Sequence, residues 1–140
     1  MNHAETLIDG LRAKGFRITA ARKAVIELLA KNTKPLGALD AHALLKKNKI
    51  AINPTTVYRE LQFLAGRGIL KTVQFQDGVQ RYELSSLPHH HHFVCLTCNM
   101  VEDIHMDHEL SAMEKNISKK KGISIERHSL EFYGRCGKCV

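Results

Sequence analysis

Two Cys-x-x-Cys pairs constrain the fold of this 140-residue chain more than any other feature. The pairs are Cys95/Cys98 and Cys136/Cys139, and 37 residues separate them. Two residues between cysteines allow both sulfurs to face one tetrahedral ion, so two pairs complete a closed four-thiolate site. We therefore predict one structural Zn²⁺ bound by all four thiolates. A redox-active Cys-x-x-Cys is the alternative, but it leaves the second pair unexplained.

Charge divides the chain into two parts. Residues 1–87 carry 14 Lys/Arg and 7 Asp/Glu, whereas residues 88–140 carry 7 of each. Seven of the nine histidines and all four cysteines lie in the second part. The basic part suits the phosphates of nucleic acid, and the neutral part suits metal binding. Because no apolar run reaches the ~18 residues of a membrane span and no secretion signal is evident, we expect a cytoplasmic protein without membrane partners.

Residues 1–84 have the pattern of four helices followed by a β-hairpin. Thr19 is placed to cap a helix in "RITAARKAVIELLAKN", and Asn53 to cap one in "NPTTVYRELQFL". In the latter helix, Val57, Leu61 and Leu64 form an apolar stripe at helical spacing. After it, Asp77-Gly78 is a two-residue turn signal between β-rich runs. Helices followed by such a hairpin predict a winged helix.

The outer face of the fourth helix suits a nucleic acid. It presents hydroxyl, phenol, guanidinium and amide groups, which can contact phosphates and base edges in a DNA major groove. An ordinary α+β domain with a basic surface is the alternative. The predicted DNA-contacting residues are Thr55, Thr56, Tyr58, Arg59 and Gln62.

Residues 89–140 predict a small α/β domain, joined to the first by a hinge linker at 85–88. "NMVEDI" indicates a short strand, "DHELSAMEKNISKKKG" a helix ending at Gly122, and "ISIERHSLEFYG" a long alternating strand. The apolar edges of such a sheet suit self-association. The whole chain is therefore predicted to be an α+β protein with domains at 1–84 and 89–140.

Four segments together resemble the ferric uptake regulator family of metal-sensing repressors. They are "NPTTVYRELQFL", "RYEL", "HHHHFVCLTC" and "HSLEFYGRCGKC", in this order, and the resemblance extends from about residue 11 to residue 139. It implies an N-terminal winged-helix DNA-binding domain and a C-terminal dimerisation domain. It also implies a homodimer that binds double-stranded operator DNA in response to metal, with neither enzymatic activity nor a small-molecule substrate.

The four histidines at 89–92 can supply two sites. In an extended segment, His90 and His92 face one way and their neighbours face the other. A metal held by Glu83, His90 and His92 would link the two predicted domains. The resemblance implies that these three residues form the regulatory metal site and that Asp103 adds a carboxylate.

The resemblance also implies a second metal site inside the dimerisation domain. Its histidines are His89, His91 and His128, and it takes a helix carboxylate. The spacing of that carboxylate falls near residues 110 and 111, so Glu109 is the nearest candidate. Two further histidines, at 105 and 108, are the alternatives.

One departure from the family concerns the regulatory site. Many members have a histidine where this chain has Pro35, so the site has the ligands above or takes His42 as a substitute. Imidazole and carboxylate suit several divalent metals. The marks of the peroxide-sensing and zinc-uptake branches are absent at Glu83 and Lys71, which favours Fe²⁺. A zinc- or nickel-responsive regulator of the same family, or a metal-storage or redox protein, is the alternative.

Overall fold

The computed structural model describes residues 2–106 and 110–140, which contain five helices and two three-stranded sheets. The chain divides between Leu87 and Pro88 into two compact units, called unit 1 and unit 2 below. Among the described residues, no helix combines the length and apolar character required to cross a bilayer.

Unit 1 consists of four helices around a small antiparallel sheet of order β1-β3-β2. Apolar side chains from all four helices and from β2 and β3 form one core, as the predicted winged helix requires. The elements are α1 His3–Ala13, α2 Ala20–Lys31, β1 Leu36–Gly37, α3 Ala38–Lys47, α4 Pro54–Gly66, β2 Leu70–Gln74 and β3 Gln80–Leu84.

The start of α4 confirms the predicted cap. The Asn53 side chain accepts a hydrogen bond from the backbone N–H of Thr55 at 2.8 Å, and Pro54 occupies the first turn. Three apolar side chains at i, i+4 and i+7 then bury one face completely, so the opposite face of the helix remains available to a partner. These buried residues are Val57, Leu61 and Leu64.

The hairpin of unit 1 exists, but the prediction of a two-residue turn is wrong. Strands β2 and β3 pair only as far as Gln74 and Gln80, which leaves a five-residue connection. Within it, the Asp77 carboxylate accepts from the Val79 N–H at 3.0 Å and from the Arg81 guanidinium at 2.7 Å. The bond from Arg81 lowers the pKa of Asp77. Hydrogen bonds to this carboxylate therefore stabilise a loop that is wider than a two-residue Asp77-Gly78 turn.

Unit 2 is a three-stranded sheet of order β5-β4-β6 with one helix in the connection to β6. The central strand β4 is antiparallel to β5 and parallel to β6. Helix α5 ends at Gly122, whose φ of 66° is left-handed, as the sequence predicts. The elements are β4 His91–Cys95, β5 Val101–Ile104, α5 Ser111–Lys121 and β6 Glu131–Gly134.

The long strand predicted over residues 123–134 is mostly absent. Only Glu131–Gly134 is a strand, because β6 pairs with β4 solely at the four residues from His92 to Cys95. The predicted beginning of α5 falls partly on residues 107–109, which lie outside the described part of the chain.

The α4 packing predicts a large difference between two leucine substitutions. Leu61→Ala should lower the free energy of unfolding by about 2–5 kcal/mol, because its side chain is fully buried in the core. Leu39→Ala is the control: its side chain is 81% exposed, so the change should stay within about 0.5 kcal/mol. Urea unfolding followed by circular dichroism measures both. Equal losses would contradict the assigned buried face of α4.

Candidate metal centres and nucleic-acid interface

The four cysteines converge beyond the ends of two parallel strands. Cys95 closes β4, and Cys136 follows β6 by two residues. All four sulfurs lie within 4.8 Å of one another, and the Sγ atoms of Cys98 and Cys136 are 3.8 Å apart. A tetrahedron with Zn–S bonds of about 2.3 Å has edges of about 3.8 Å. The thiols predicted to share one zinc ion therefore have spacing that fits it.

Backbone N–H groups favour a thiolate in this cluster. The N–H groups of Cys136 and Cys98 point at the Cys95 sulfur from 3.4 and 3.5 Å and lower its pKa to about 6. The neighbouring sulfur of Cys136 raises the pKa of Cys139 to about 12. The cluster therefore stabilises one thiolate, whereas further thiolates would repel it. A bound dication would relieve this repulsion.

One face of the β4–β5 pair gathers two imidazoles and a carboxylate. The Nε2 atoms of His90 and His92 are 3.1 Å apart, and Asp103 Oδ1 lies 3.8 Å from each. The strand register explains this proximity, since His92 pairs directly with Asp103. Asp103 Oδ1 is buried and has no hydrogen bond to any described residue. Two nitrogens and an oxygen in this arrangement can hold a divalent transition metal.

A backbone contact orients one of these imidazoles. His90 Nδ1 lies 2.7 Å from the carbonyl oxygen of Pro88 and donates to it. The proton on Nδ1 leaves the lone pair on Nε2, which faces His92. Metal-ligating histidines are commonly fixed by such a contact at the other ring nitrogen.

Glu83 belongs to unit 1, and its role as a metal ligand remains a prediction from the sequence. It is fully buried in β3, and its carboxylate lies 3.3 Å from Lys71 Nζ on the paired strand β2. Pro35 is buried just before β1, and His42 is half-buried on α3. Pro35 has no side-chain donor, so only His42 is a histidine candidate in that region.

The other face of β4 carries the second group of histidines. One nitrogen from each of His89, His91 and His128 lies within 4.8 Å of the other two. Burial lowers the pKa of His91, and the neighbouring imidazoles lower it further. A neutral imidazole has a lone pair available to a metal, so this environment favours metal binding at His91 over protonation.

Glu114 is the helix carboxylate that reaches this second face. It hydrogen-bonds to His128 Nδ1, and His128 Nε2 is buried without a hydrogen bond to any described residue. Sequence spacing instead favoured Glu109, which lies outside the described residues, as does His108. The missed signal is helical periodicity, because Glu114 is one turn beyond Leu110 on the same side of the helix.

The outer face of α4 presents the predicted DNA-contacting side chains unequally. Thr55 and Arg59 are exposed, Tyr58 is 50% exposed, and Thr56 is half-buried. The Gln62 amide instead donates to the hydroxyl of Tyr82, which lies on β3. The four remaining side chains carry one cation, that of Arg59, and no carboxylate. DNA contact by all five residues remains a prediction.

A buried ion pair that the sequence analysis missed fixes α4 against α2. Arg22 Nε donates to Glu60 at 2.8 Å, and its guanidinium stacks over the Phe63 ring at 3.8 Å. Both charged side chains are largely buried. Because Glu60 is the sole carboxylate of α4 and Arg22 neutralises it, no uncompensated negative charge opposes an approaching phosphate.

Comparisons with known proteins identify the family of this chain. The sequence profile of the ferric uptake regulator family matches residues 13–133. The ferric uptake regulation protein of Bacillus subtilis (strain 168) is 32% identical, over 99% of this chain and 95% of that protein.

Two solved structures are similar over most of both chains. The Vibrio cholerae ferric uptake regulator has a TM-score of 0.79 at 30% identity, with 91% of this chain and 98% of that chain covered. The Francisella tularensis regulator, solved with iron, has a TM-score of 0.77 at 30% identity and covers 89% and 95%. The chain thus belongs to the ferric uptake regulator family and is a metal-responsive transcriptional regulator.

Proposed function

We propose that this protein is a homodimeric repressor that binds operator DNA through α4 when divalent iron occupies the His90, His92 and Asp103 face. The observation that carries the proposal is the convergence of these three side chains on one sheet face, separate from the four thiols. Binding and release can then occur at one centre while the thiols keep the fold intact. A cytoplasmic site of action follows from operator binding.

The thiol cluster has a structural role in this proposal. Four sulfurs leave no open position for a substrate, and they connect the ends of β4 and β6. A Cys-x-x-Cys redox pair would act alone, whereas here both pairs share one cluster. We therefore assign Zn²⁺ to Cys95, Cys98, Cys136 and Cys139.

The homodimer is proposed to form through β6 and α5. Strand β6 stands at one edge of the described sheet, and its Phe132 is 41% exposed. Helix α5 buries none of its side chains within unit 2, and Met113 and Ile117 are 59% and 41% exposed. An open strand edge beside exposed apolar side chains fits a second copy of the same surface.

The regulatory group includes Glu83 as a fourth ligand in this proposal, on the strength of the family resemblance and its buried carboxylate. A divalent cation bound there would offset the carboxylate charges and hold the ligating side chains to one centre. Glu83 lies in unit 1 and the histidines in unit 2, so joint ligation would make DNA binding and metal binding thermodynamically linked. The second face, with His89, His91, His128 and a carboxylate from Glu109 or Glu114, would then be a separate metal site.

Iron is proposed as the regulatory metal. Mixed nitrogen and carboxylate ligands accept Fe²⁺, Mn²⁺, Ni²⁺ or Zn²⁺, so the side chains do not select one by affinity alone. The similar Bacillus subtilis protein is a ferric uptake regulation protein, and the Francisella tularensis structure contains iron. Responsiveness to zinc or nickel is the second candidate.

The zinc assignment predicts the result of a single thiol change. Cys95→Ser should remove zinc from the purified protein and abolish most of the dimer, because structural zinc contributes on the order of 10 kcal/mol to small domains. Thr97→Ser, in the same turn, should retain both. Elemental analysis and light scattering measure these outcomes. A Cys95→Ser protein that keeps a full zinc equivalent would contradict the cluster.

The DNA-binding assignment predicts different effects for two arginines. Arg59→Ala should weaken operator binding by about 1–3 kcal/mol if the guanidinium reads a base. Arg12→Ala removes the same charge from the exposed side of α1 and should have a smaller effect. Fluorescence anisotropy with operator and scrambled duplexes separates specific from general binding. Equal losses of operator affinity in both variants would indicate that only the positive charge matters. That result would contradict base recognition by α4.

The regulatory assignment predicts that the two histidine faces are separable. His90→Ala with His92→Ala should eliminate metal-stimulated operator binding while zinc content and dimerisation are retained. His89→Ala with His91→Ala is the matched control on the opposite face. Operator binding is titrated with Fe²⁺, Mn²⁺, Ni²⁺ and Zn²⁺. If the first variant keeps full metal dependence and the second loses it, the regulatory site is on the other face.

A further inference from the structure

We propose that His105 is a further metal ligand of the regulatory face, so that unit 2 supplies four donors to the ion in addition to the proposed Glu83 of unit 1. This inference rests on the proposed function of His90, His92 and Asp103 and extends it by one residue. The sequence analysis considered His105 only as an alternative ligand for the opposite face.

The strand register places His105 beside the proposed ligands of the face. In the antiparallel β4–β5 pair, His92 lies opposite Asp103 and His91 opposite Ile104. Continuing the register by one residue sets His90 opposite His105. Directly opposed side chains of an antiparallel pair have Cβ atoms about 4.5–5.5 Å apart, within reach of a shared ligand.

Side-chain alternation selects the same face. Residues two apart in an extended segment point to the same side, so His105 follows Asp103 toward His90 and His92. The ring centroids of His90 and His105 are 5.9 Å apart, with the planes tilted by 45°. His105 directly follows β5, and its side chain is exposed.

The existing donors leave a position for a further ligand. His90, His92 and Asp103 provide three donor atoms, and Asp103 Oδ1 is buried without a hydrogen bond to a described residue. A site of two histidines and one carboxylate leaves more than one open coordination position on Fe²⁺, so it can accept His105 as well as Glu83. Two cross-strand pairs, His90 with His105 and His92 with Asp103, form a four-cornered group on one sheet face.

This geometry predicts different roles for His105 and Glu83. His105 contributes to holding the ion within unit 2, whereas Glu83 of unit 1 makes DNA binding depend on that ion. His105→Ala should therefore weaken metal binding directly. Glu83→Gln should leave a larger share of metal affinity and lose more of the metal dependence of operator binding.

The test is a Co²⁺ titration, followed by visible absorption, of the full-length, zinc-loaded protein in which His89→Ala and His91→Ala remove the opposite metal group. His105→Ala should weaken Co²⁺ binding by about tenfold or more and shift the ligand-field bands, since one nitrogen donor is lost. The proton spectrum of the cobalt form should lose one paramagnetically shifted imidazole N–H signal. His3→Ala, an exposed histidine of α1 that belongs to neither metal group, is the control and should change none of these.

The possible outcomes distinguish this inference from the proposed function. If His90→Ala with His92→Ala abolishes the titration while His105→Ala titrates like the parent protein, His105 is not a ligand. An equal weakening in His3→Ala would also overturn the inference, because the effect would not be local. If the double variant keeps the full titration, the regulatory face itself is misassigned, and His105 falls with it.

Discussion

The alternation of side chains along a β-strand is the constraint on which the metal chemistry of this protein depends. Four consecutive histidines enter β4, and neighbouring residues of an extended chain face opposite sides of the sheet. Each face then meets different neighbours. Asp103 of β5 lies beside one pair of histidines, and His128 with Glu114 of α5 lies beside the other. A single histidine run is thereby divided into two groups with different surroundings.

The thiol cluster maintains the strand register on which the two histidine groups depend. Strands β4 and β6 run parallel into the cluster, with Cys95 paired to Gly134 and Cys136 following two residues later. A one-residue slip of β4 would exchange the faces of all its histidines. It would also move Cys95 away from the N–H groups of Cys98 and Cys136 that contact its sulfur. Zinc at the thiols would therefore fix the register that the histidine groups require.

Local patterns in the sequence predicted much of this arrangement. Capping residues and apolar periodicity located α2 and α4, because both signals act within a few residues. Regular cysteine spacing predicted four converging thiols, and the structure brings their sulfurs together. Alternation predicted two histidine groups, and the β4–β5 register places His92 opposite Asp103.

Contacts between distant segments could not be predicted in this way. The Arg22–Glu60 pair and the Gln62–Tyr82 hydrogen bond join residues 38 and 20 positions apart, and no periodicity encodes them. The length of β6 depends on how much of β4 is available to it, which is a property of the partner strand. Helical periodicity places Glu114 one turn beyond Leu110, but its contact with His128 joins residues 14 positions apart, which no local pattern encodes.

We infer that one histidine run serves two metal sites on opposite faces of one sheet. Anomalous diffraction from crystals of the zinc-loaded protein soaked with Co²⁺ tests it directly, because the zinc and cobalt absorption edges identify each ion. We predict a zinc peak bonded to all four sulfurs and a cobalt peak bonded to the Nε2 atoms of His90 and His92. Any cobalt at His89 and His91 should form a separate peak across the sheet. One ion bonded to histidines of both faces, or none at His90 and His92, would contradict the account.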